Sequence, residues 1–172
     1  MDVYVTRREN RDRLLSEVIG DNIIKTEAGK PYVEDSNVFF SISHTEDTLV
    51  VAVTDKGNIG IDIEPAARKR DVHFDRVAKR IFTEKEIEYA TDLARFTEVW
   101  TRKEACVKCI GTGIAMDFKN FTVVENDELV SPVSMPAGAY NQVKLHIIPA
   151  KIDGFVCNIA CTEPEEIKLT NY

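Results

Sequence analysis

The stretch "NIGIDIEPA", positions 58–66, carries two carboxylates inside what reads as a β-strand. Side chains alternate along a strand, so Ile59, Ile61 and Ile63 share one face and Asp62 and Glu64 the other. Pro65 ends the ladder because it has no N–H to give. Neighbouring carboxylates repel, and burying either is costly unless a positive group sits between them. An acidic, solvent-facing strand would also fit this stretch taken alone. A second group lies in "WTRKEACVK", where Trp100, Glu104 and Lys108 recur every four residues. Each such step rotates a helical side chain by about 40°. Glu104 and Lys108 therefore sit at the edge of an apolar stripe beside Trp100. A plain i,i+4 Glu–Lys pair, contributing about 0.2–0.5 kcal/mol, would explain that spacing too. Lys103 falls inside the stripe and needs a partner or must snorkel out.

Asp62, Glu64 and Glu104 together form an all-oxygen donor set. Such a set suits Mg²⁺, which keeps waters and is usually completed by substrate phosphates. Lys108, Lys103, His44, Lys30 and the N-terminal arginines are candidates to hold those phosphates. Phosphoryl-type transfer is the reaction class that fits a metal-plus-phosphate constellation. The four cysteines offer another chemistry. Cys106 and Cys109 have metal-ligand spacing, and Cys157 with Cys161 loosely resembles a second pair. The first pair, however, lies in an unbroken helical pattern, and the second continues the strand alternation Phe155, Cys157, Ile159, Cys161. Buried free thiols account for all four, and no zinc is expected.

Several elements must position these residues. "VYVT" reads as a short strand and "RRENRDRLLSEVIG" as a helix stopped at Gly20. "EAGKPYVE" is a turn entering an extended segment. "VFFSISHTEDTLVVAVTDKGNIGIDIE" reads as a three-stranded meander with turns near Thr45–Asp47 and at positions 55–58. In "RKRDVHFDRVAKRIF" a looser helix places Phe74, Val77 and Ile81 on one stripe. Thr83 followed three residues later by Glu86 is a capping-box pattern. "FTEVWTRKEACVKCIGTG" is the clearest helix, with Phe96, Val99, Trp100, Val107 and Ile110 on one face and Gly111 as its stop. "FTVV", "QVKLHIIPA" and "GFVCNIAC" read as strands.

The 172 residues suffice for one domain, and 44% hydrophobic with 30% charged residues is ordinary for a globular chain. A net charge of −7 argues against nucleic acid as a partner. The longest apolar run, "LVVAV", is far too short to span a membrane. The N-terminal "MDVYVTRREN" has no apolar signal region. A cytoplasmic monomer, without membrane or nucleic-acid partners, is expected.

"GKPY" (29–32), "FSISHT" (40–45), "GIDIE" (60–64) and "WTRKEACVKCIGTGI" (100–114) occur in the order found in 4′-phosphopantetheinyl transferases. The chain resembles the surfactin-synthetase-activating type over roughly positions 10–125, with two motifs agreeing in order and spacing. The resemblance implies an α+β fold: two similar α/β halves related by a pseudo-twofold, with antiparallel sheets packed against helices. Residues 1–172 would be one domain, divided near 1–65 and 66–172, with the active site between the halves. It implies coenzyme A as substrate, Mg²⁺ as cofactor and an apo acyl carrier or peptidyl carrier protein as acceptor. Asp62, Glu64 and Glu104 match the family's metal-binding acids, and Glu86 a further acid near the metal, though its capping-box position explains it equally well. Lys108 matches a phosphate-contacting lysine, Ser43 and His44 the pair beside the pyrophosphate, and Lys30 and Pro31 the adenine-side contact. Arg11 and Arg13 are candidates for the 3′-phosphate. Glu104, Lys108 and His44 would carry the catalysis. A coenzyme A-binding module without transfer activity, and a Mg²⁺-dependent nucleotide phosphohydrolase, are the alternatives.

Overall fold

The chain is seen in a computed structural model that describes residues 1–67, 73–113, 116–136 and 141–172. Its strands are β1 (Asp2–Arg7), β2 (Ile23–Lys25), β3 (Pro31–Val33), β4 (Phe39–Thr45), β5 (Thr48–Thr54), β6 (Ile59–Pro65), β7 (Val124–Glu125), β8 (Glu128–Leu129), β9 (Val133–Pro136), β10 (Gln142–Ala150), β11 (Phe155–Cys161) and β12 (Lys168–Asn171). Its helices are α1 (Arg11–Val18), α2 (His73–Ile81), α3 (Glu84–Tyr89) and α4 (Leu93–Ile110). Two four-stranded sheets, ordered β12-β1-β5-β4 and β6-β11-β10-β9, carry the fold, and β2-β3 and β7-β8 form small ribbons. The α+β class and the mostly antiparallel pairing agree with expectation; β1 and β12 are a parallel pair.

The meander does not form as expected. β4 and β5 make the predicted hairpin, with Thr45 opposite Thr48, but β6 leaves that sheet and pairs antiparallel with β11. Conversely, β12 from the C-terminus lies on the first sheet beside β1. The two sheets therefore do not divide the chain at residue 65. Alternation alone cannot choose a strand's neighbour. That choice is made by what its two faces cover.

The faces of β6 are as the sequence dictates. Ile59, Ile61 and Ile63 are buried with Val3, Val50, Ala52, Cys157 and Ile159 in a core between the two sheets. On the outer face of the first sheet, Leu14 and Leu15 of α1 cover Leu49 and Val51. On the outer face of the second, Val99, Ala105 and Cys106 of α4 pack over Leu145, Ile147 and Ala160. The order of layers is thus helix, sheet, sheet, helix. At β6 the contact with α4 is backbone on backbone. A Cβ added to Gly60 would stand 3.0 Å from Cys109 Cα, and nearer still to the Ala105 carbonyl oxygen and the Cys109 nitrogen. Only glycine allows α4 to lie this close.

α4 begins as caps require, with the Asp92 side chain accepting from the Arg95 N–H at 2.9 Å. It ends at Gly111, whose φ of 82° is left-handed, as the sequence reading expects. "FTVV" is the exception among the later strands: only Val124 of it enters a strand, the two-residue β7. Among the described residues no helix is long and apolar enough to cross a membrane.

Candidate functional site

The acidic face of β6 lies under α4, where Glu104 and Lys108 project. Asp62 is buried. Its Oδ1 accepts from Lys108 Nζ at 2.7 Å and from Ser43 Oγ at 2.9 Å. Lys108 Nζ also donates to Ser43 Oγ at 2.9 Å and to the Ile61 carbonyl at 3.1 Å. Three elements thus converge on one carboxylate: β4 through Ser43, β6 through Asp62 and α4 through Lys108. The other oxygen, Asp62 Oδ2, is buried with no hydrogen-bond partner. Such atoms are uncommon and ask for a ligand.

β4 borders β6 through a row of hydroxyls on its inner face. Ser41 Oγ accepts from the Ile61 N–H at 3.1 Å, Ser43 reaches Asp62, and Thr45 Oγ1 makes a long 3.5 Å approach to Glu64 Oε2. The alternation Ser41, Ser43, Thr45 was a signal for this row, yet the sequence reading singles out Ser43 alone.

Electrostatics bind the three acids into one group. Burial raises Glu104 from its usual range to about 7; the charges of Asp62 and, more weakly, Glu64 add to the shift, and Lys108 opposes it. Burial likewise holds Asp62 above its ordinary value, against the pull of Lys108 and Ser43. The acids feel one another without forming a finished cage: among the described residues, no three His, Cys, Asp or Glu side chains are grouped as metal ligands. The donor set still fits a hard cation. All its atoms are carboxylate oxygens, one of them orphaned, and a cation would relieve the repulsion that adds to the effect of burial on Glu104.

A cavity of about 420 Å³ opens beside this cluster. Arg11, Lys25, Lys30 and Lys108 line it, with Glu104 the acid among them and Val107 and Phe118 adding apolar wall. Four cations around one concavity favour an anionic ligand. A second cavity of about 570 Å³ lies across Lys30 and Pro31, walled by Tyr32, Phe39 and Phe40. Lys30 stands between the two. Its Nζ donates to the Cys109 carbonyl at 2.6 Å, at the C-terminal end of α4, and burial lowers its pKa. Cations are favoured at that end of a helix.

His44 is exposed on the opposite face of β4 from Ser43. Its imidazole is held below its usual range by desolvation, then by the charges of Arg8, Lys108 and Arg11. Arg8, one of the N-terminal arginines put forward as phosphate holders, thus joins the basic group. Lys25, on β2, is missed by the sequence reading; its nearness to "GKPY" was the available clue.

Two candidate phosphate-holding residues lie away from the cavity. Arg13 is not brought to the cavity: its Nε donates to the Tyr172 hydroxyl at 2.9 Å and its guanidinium lies over that ring. Lys103 does not line the cavity either. It is wholly buried, donating to both Glu86 oxygens at 2.9 and 2.8 Å and to the Phe121 carbonyl at 2.8 Å. Glu86 in turn accepts from the Thr83 and Val123 N–H groups, each at 2.8 Å, and closes the capping box. Glu86 therefore cross-links α3, α4 and the 121–123 segment. Breaking such a buried pair from one side typically costs about 3–5 kcal/mol. The four cysteines are free and buried, as expected. Burial raises Cys106 and Cys109, the latter to about 12, so neither is a thiolate at neutral pH.

Residues 58–160 match the sequence profile of the 4′-phosphopantetheinyl transferase superfamily. Among curated relatives, a 4′-phosphopantetheinyl transferase gsp of Aneurinibacillus migulanus is 33% identical over 62% of this chain and 46% of its own length. The 4′-phosphopantetheinyl transferase AcpT of Salmonella typhi is 38% identical over 48% of this chain and 45% of its own. A holo-[acyl-carrier-protein] synthase of Caldicellulosiruptor saccharolyticus is 32% identical over 60% of this chain and 85% of its own. The chain spans about half the length of the first two.

Proposed function

The chain belongs to the 4′-phosphopantetheinyl transferase superfamily, and from that premise we propose that it transfers the 4′-phosphopantetheine group of coenzyme A to a serine of an apo acyl or peptidyl carrier protein. The observation that supports it most is the meeting of Ser43, Asp62, Glu104 and Lys108 beside a cavity rimmed by cations. Asp62, Glu64 and Glu104 would hold Mg²⁺, which would neutralise charge on the pyrophosphate.

The chain's own residues supply the rest. Lys108 and Ser43 hold Asp62 now and would turn toward a pyrophosphate oxygen once that carboxylate has another partner. Arg11, Lys25 and Lys30 would bind the remaining phosphate charge, with His44 and Arg8 at its outer edge. Glu104, raised to about 7, is suited to take the serine proton directly or through a water it orients. The serine oxygen forms a bond to the pantetheine-bearing phosphorus as the bond to 3′,5′-ADP breaks. Acceleration by positioning and electrostatics needs no covalent enzyme intermediate. The order of the "GKPY", "FSISHT", "GIDIE" and "WTRKEACVK" segments supports the surfactin-synthetase-activating type. Four free thiols suit a reducing compartment, the cytoplasm.

Incubation with coenzyme A and candidate apo-carriers, followed by mass spectrometry, tests the proposal. A phosphopantetheine adduct on serine, with 3′,5′-ADP released in step, is expected. Release of 3′,5′-ADP without any carrier would favour hydrolysis instead. Intact coenzyme A with every carrier would leave a binding module.

For the carrier we propose the basic face of α2. Arg76, Lys79 and Arg80 are exposed there; the neighbouring Arg68, Lys69, Arg70 and Asp71 lie outside the described residues. Reversing Arg76 and Arg80 to Glu is expected to raise KM for an acidic carrier and slow its association, less so as salt rises. KM for coenzyme A should stay within about twofold. Equal losses for both substrates would remove α2 from the interface.

A further inference from the structure

We infer that Asn158 and Thr101 are positioning residues that hold Glu104 over Asp62, an inference that rests on the metal site proposed above. Asn158 is the cross-strand partner of Asp62 in the β6–β11 ladder. Directly opposed residues on one face lie about 4.5–5.5 Å apart at Cβ. The two side chains are therefore neighbours under α4.

Asn158 is the single polar residue of β11, whose sequence is "FVCNIAC". Its side chain is 3% exposed and Thr101 is fully buried. A buried amide on an otherwise apolar strand is costly unless satisfied. Asn158 Nδ2 donates to Thr101 Oγ1 at 2.8 Å. The Thr101 hydroxyl spends its own proton within α4, on the Thr97 carbonyl at 2.8 Å, with that of Glu98 at 3.2 Å. Its lone pair is thus left for Asn158, which sets the direction of the bond and the orientation of the amide.

Thr101 lies three residues before Glu104 and seven before Lys108. At 3.6 residues per turn these positions form one stripe along the helix. The Asn158–Thr101 bond therefore pins α4 to the sheet on the side that presents Glu104 and Lys108 to Asp62. The Gly60 contact fixes how closely α4 approaches β6. The polar bond fixes the rotation and slide of the helix, which an apolar seam leaves loose. Direct hydrogen-bond partners of metal ligands typically govern metal affinity by about 10–100-fold; this pair acts one step farther out, through α4, at the lower end of that range.

Mn²⁺ titration followed by electron paramagnetic resonance reads the site without turnover. Asn158→Ala leaves no orphan donor, since Thr101 keeps its bonds within α4, so this variant is chosen to fold. Thr101→Val removes the acceptor at near-constant shape, and Thr101→Ser restores it. We expect Asn158→Ala and Thr101→Val each to weaken Mn²⁺ binding about tenfold or more, and Thr101→Ser to lie within about twofold of wild type. Lowered thermal stability with unchanged Mn²⁺ affinity in the folded variants would reduce the pair to scaffolding and overturn the inference. If Thr101→Val does not fold, Asn158→Ala alone decides. Asp62→Ala is the control for the underlying reading. Should it bind Mn²⁺ as wild type does, the proposed metal site fails, and this inference with it; should it lose Mn²⁺ while Asn158→Ala does not, this inference alone fails.

Discussion

Replacing Glu104 by glutamine is expected to lower transfer by at least about 10²–10³-fold while making the metal-free protein more stable at pH 8. The first effect follows from losing one of the three acids proposed to hold a metal, whose charge stabilisation would amount to several kcal/mol, at about 1.4 kcal/mol per tenfold in rate. The second follows from burial and the neighbouring acids, which raise Glu104 from 4.5 to about 7. A carboxyl raised in the folded state binds its proton more tightly there than in the unfolded chain. The folded state therefore loses stability as pH climbs from about 4.5 to about 7, and bears the full cost above that. Glutamine carries no such charge. Thermal unfolding in chelator should favour the variant at pH 8 and show no difference near pH 4. Wild-type turnover in saturating Mg²⁺ would remove Glu104 from the site. An unchanged unfolding temperature at pH 8 would mean that its carboxyl is not strained by its neighbours.

Gly60→Ala is expected to damage both fold and site. The added methyl would meet the Ala105 carbonyl and the backbone of Cys109, which cannot step aside as a flexible side chain could. Overpacking of this kind costs about 1–3 kcal/mol and occasionally more. At about 2–4 °C per kcal/mol for a chain of this size, unfolding should fall by roughly 2–12 °C. The helix that carries Glu104 and Lys108 is the part displaced. Transfer measured well below the unfolding temperature should therefore drop further than the loss of folded protein explains. Wild-type stability and rate together would show that α4 does not press on β6 at this point.

The sequence by itself determined the local features. Period-two alternation separated Ile59, Ile61 and Ile63 from Asp62 and Glu64, and each set lies on the face it was assigned. The capping box at Thr83 and Glu86 and the stop of α4 at Gly111 were legible for the same reason, whereas the start of α4 lies at Leu93, a turn before the Phe96 that opens the apolar stripe. Periodicity and caps are written within a few neighbouring residues, and their physics does not depend on what lies across the fold. Partner choice was decided only in three dimensions. β6 joined β11, nearly a hundred residues away, because its isoleucines cover the first sheet while Gly60 admits α4 on the other side. Lys103 and Lys108 looked alike as phosphate ligands, yet five helical residues set them about 140° apart. One side of α4 faces Glu86 in an enclosed core and the other faces Asp62 beside the cavity. Arg11 reached the cavity and Arg13 went to Tyr172 by the same rule. Which of two like charges reaches the cavity depends on which way its helix face turns, and only the packing of distant segments decides that.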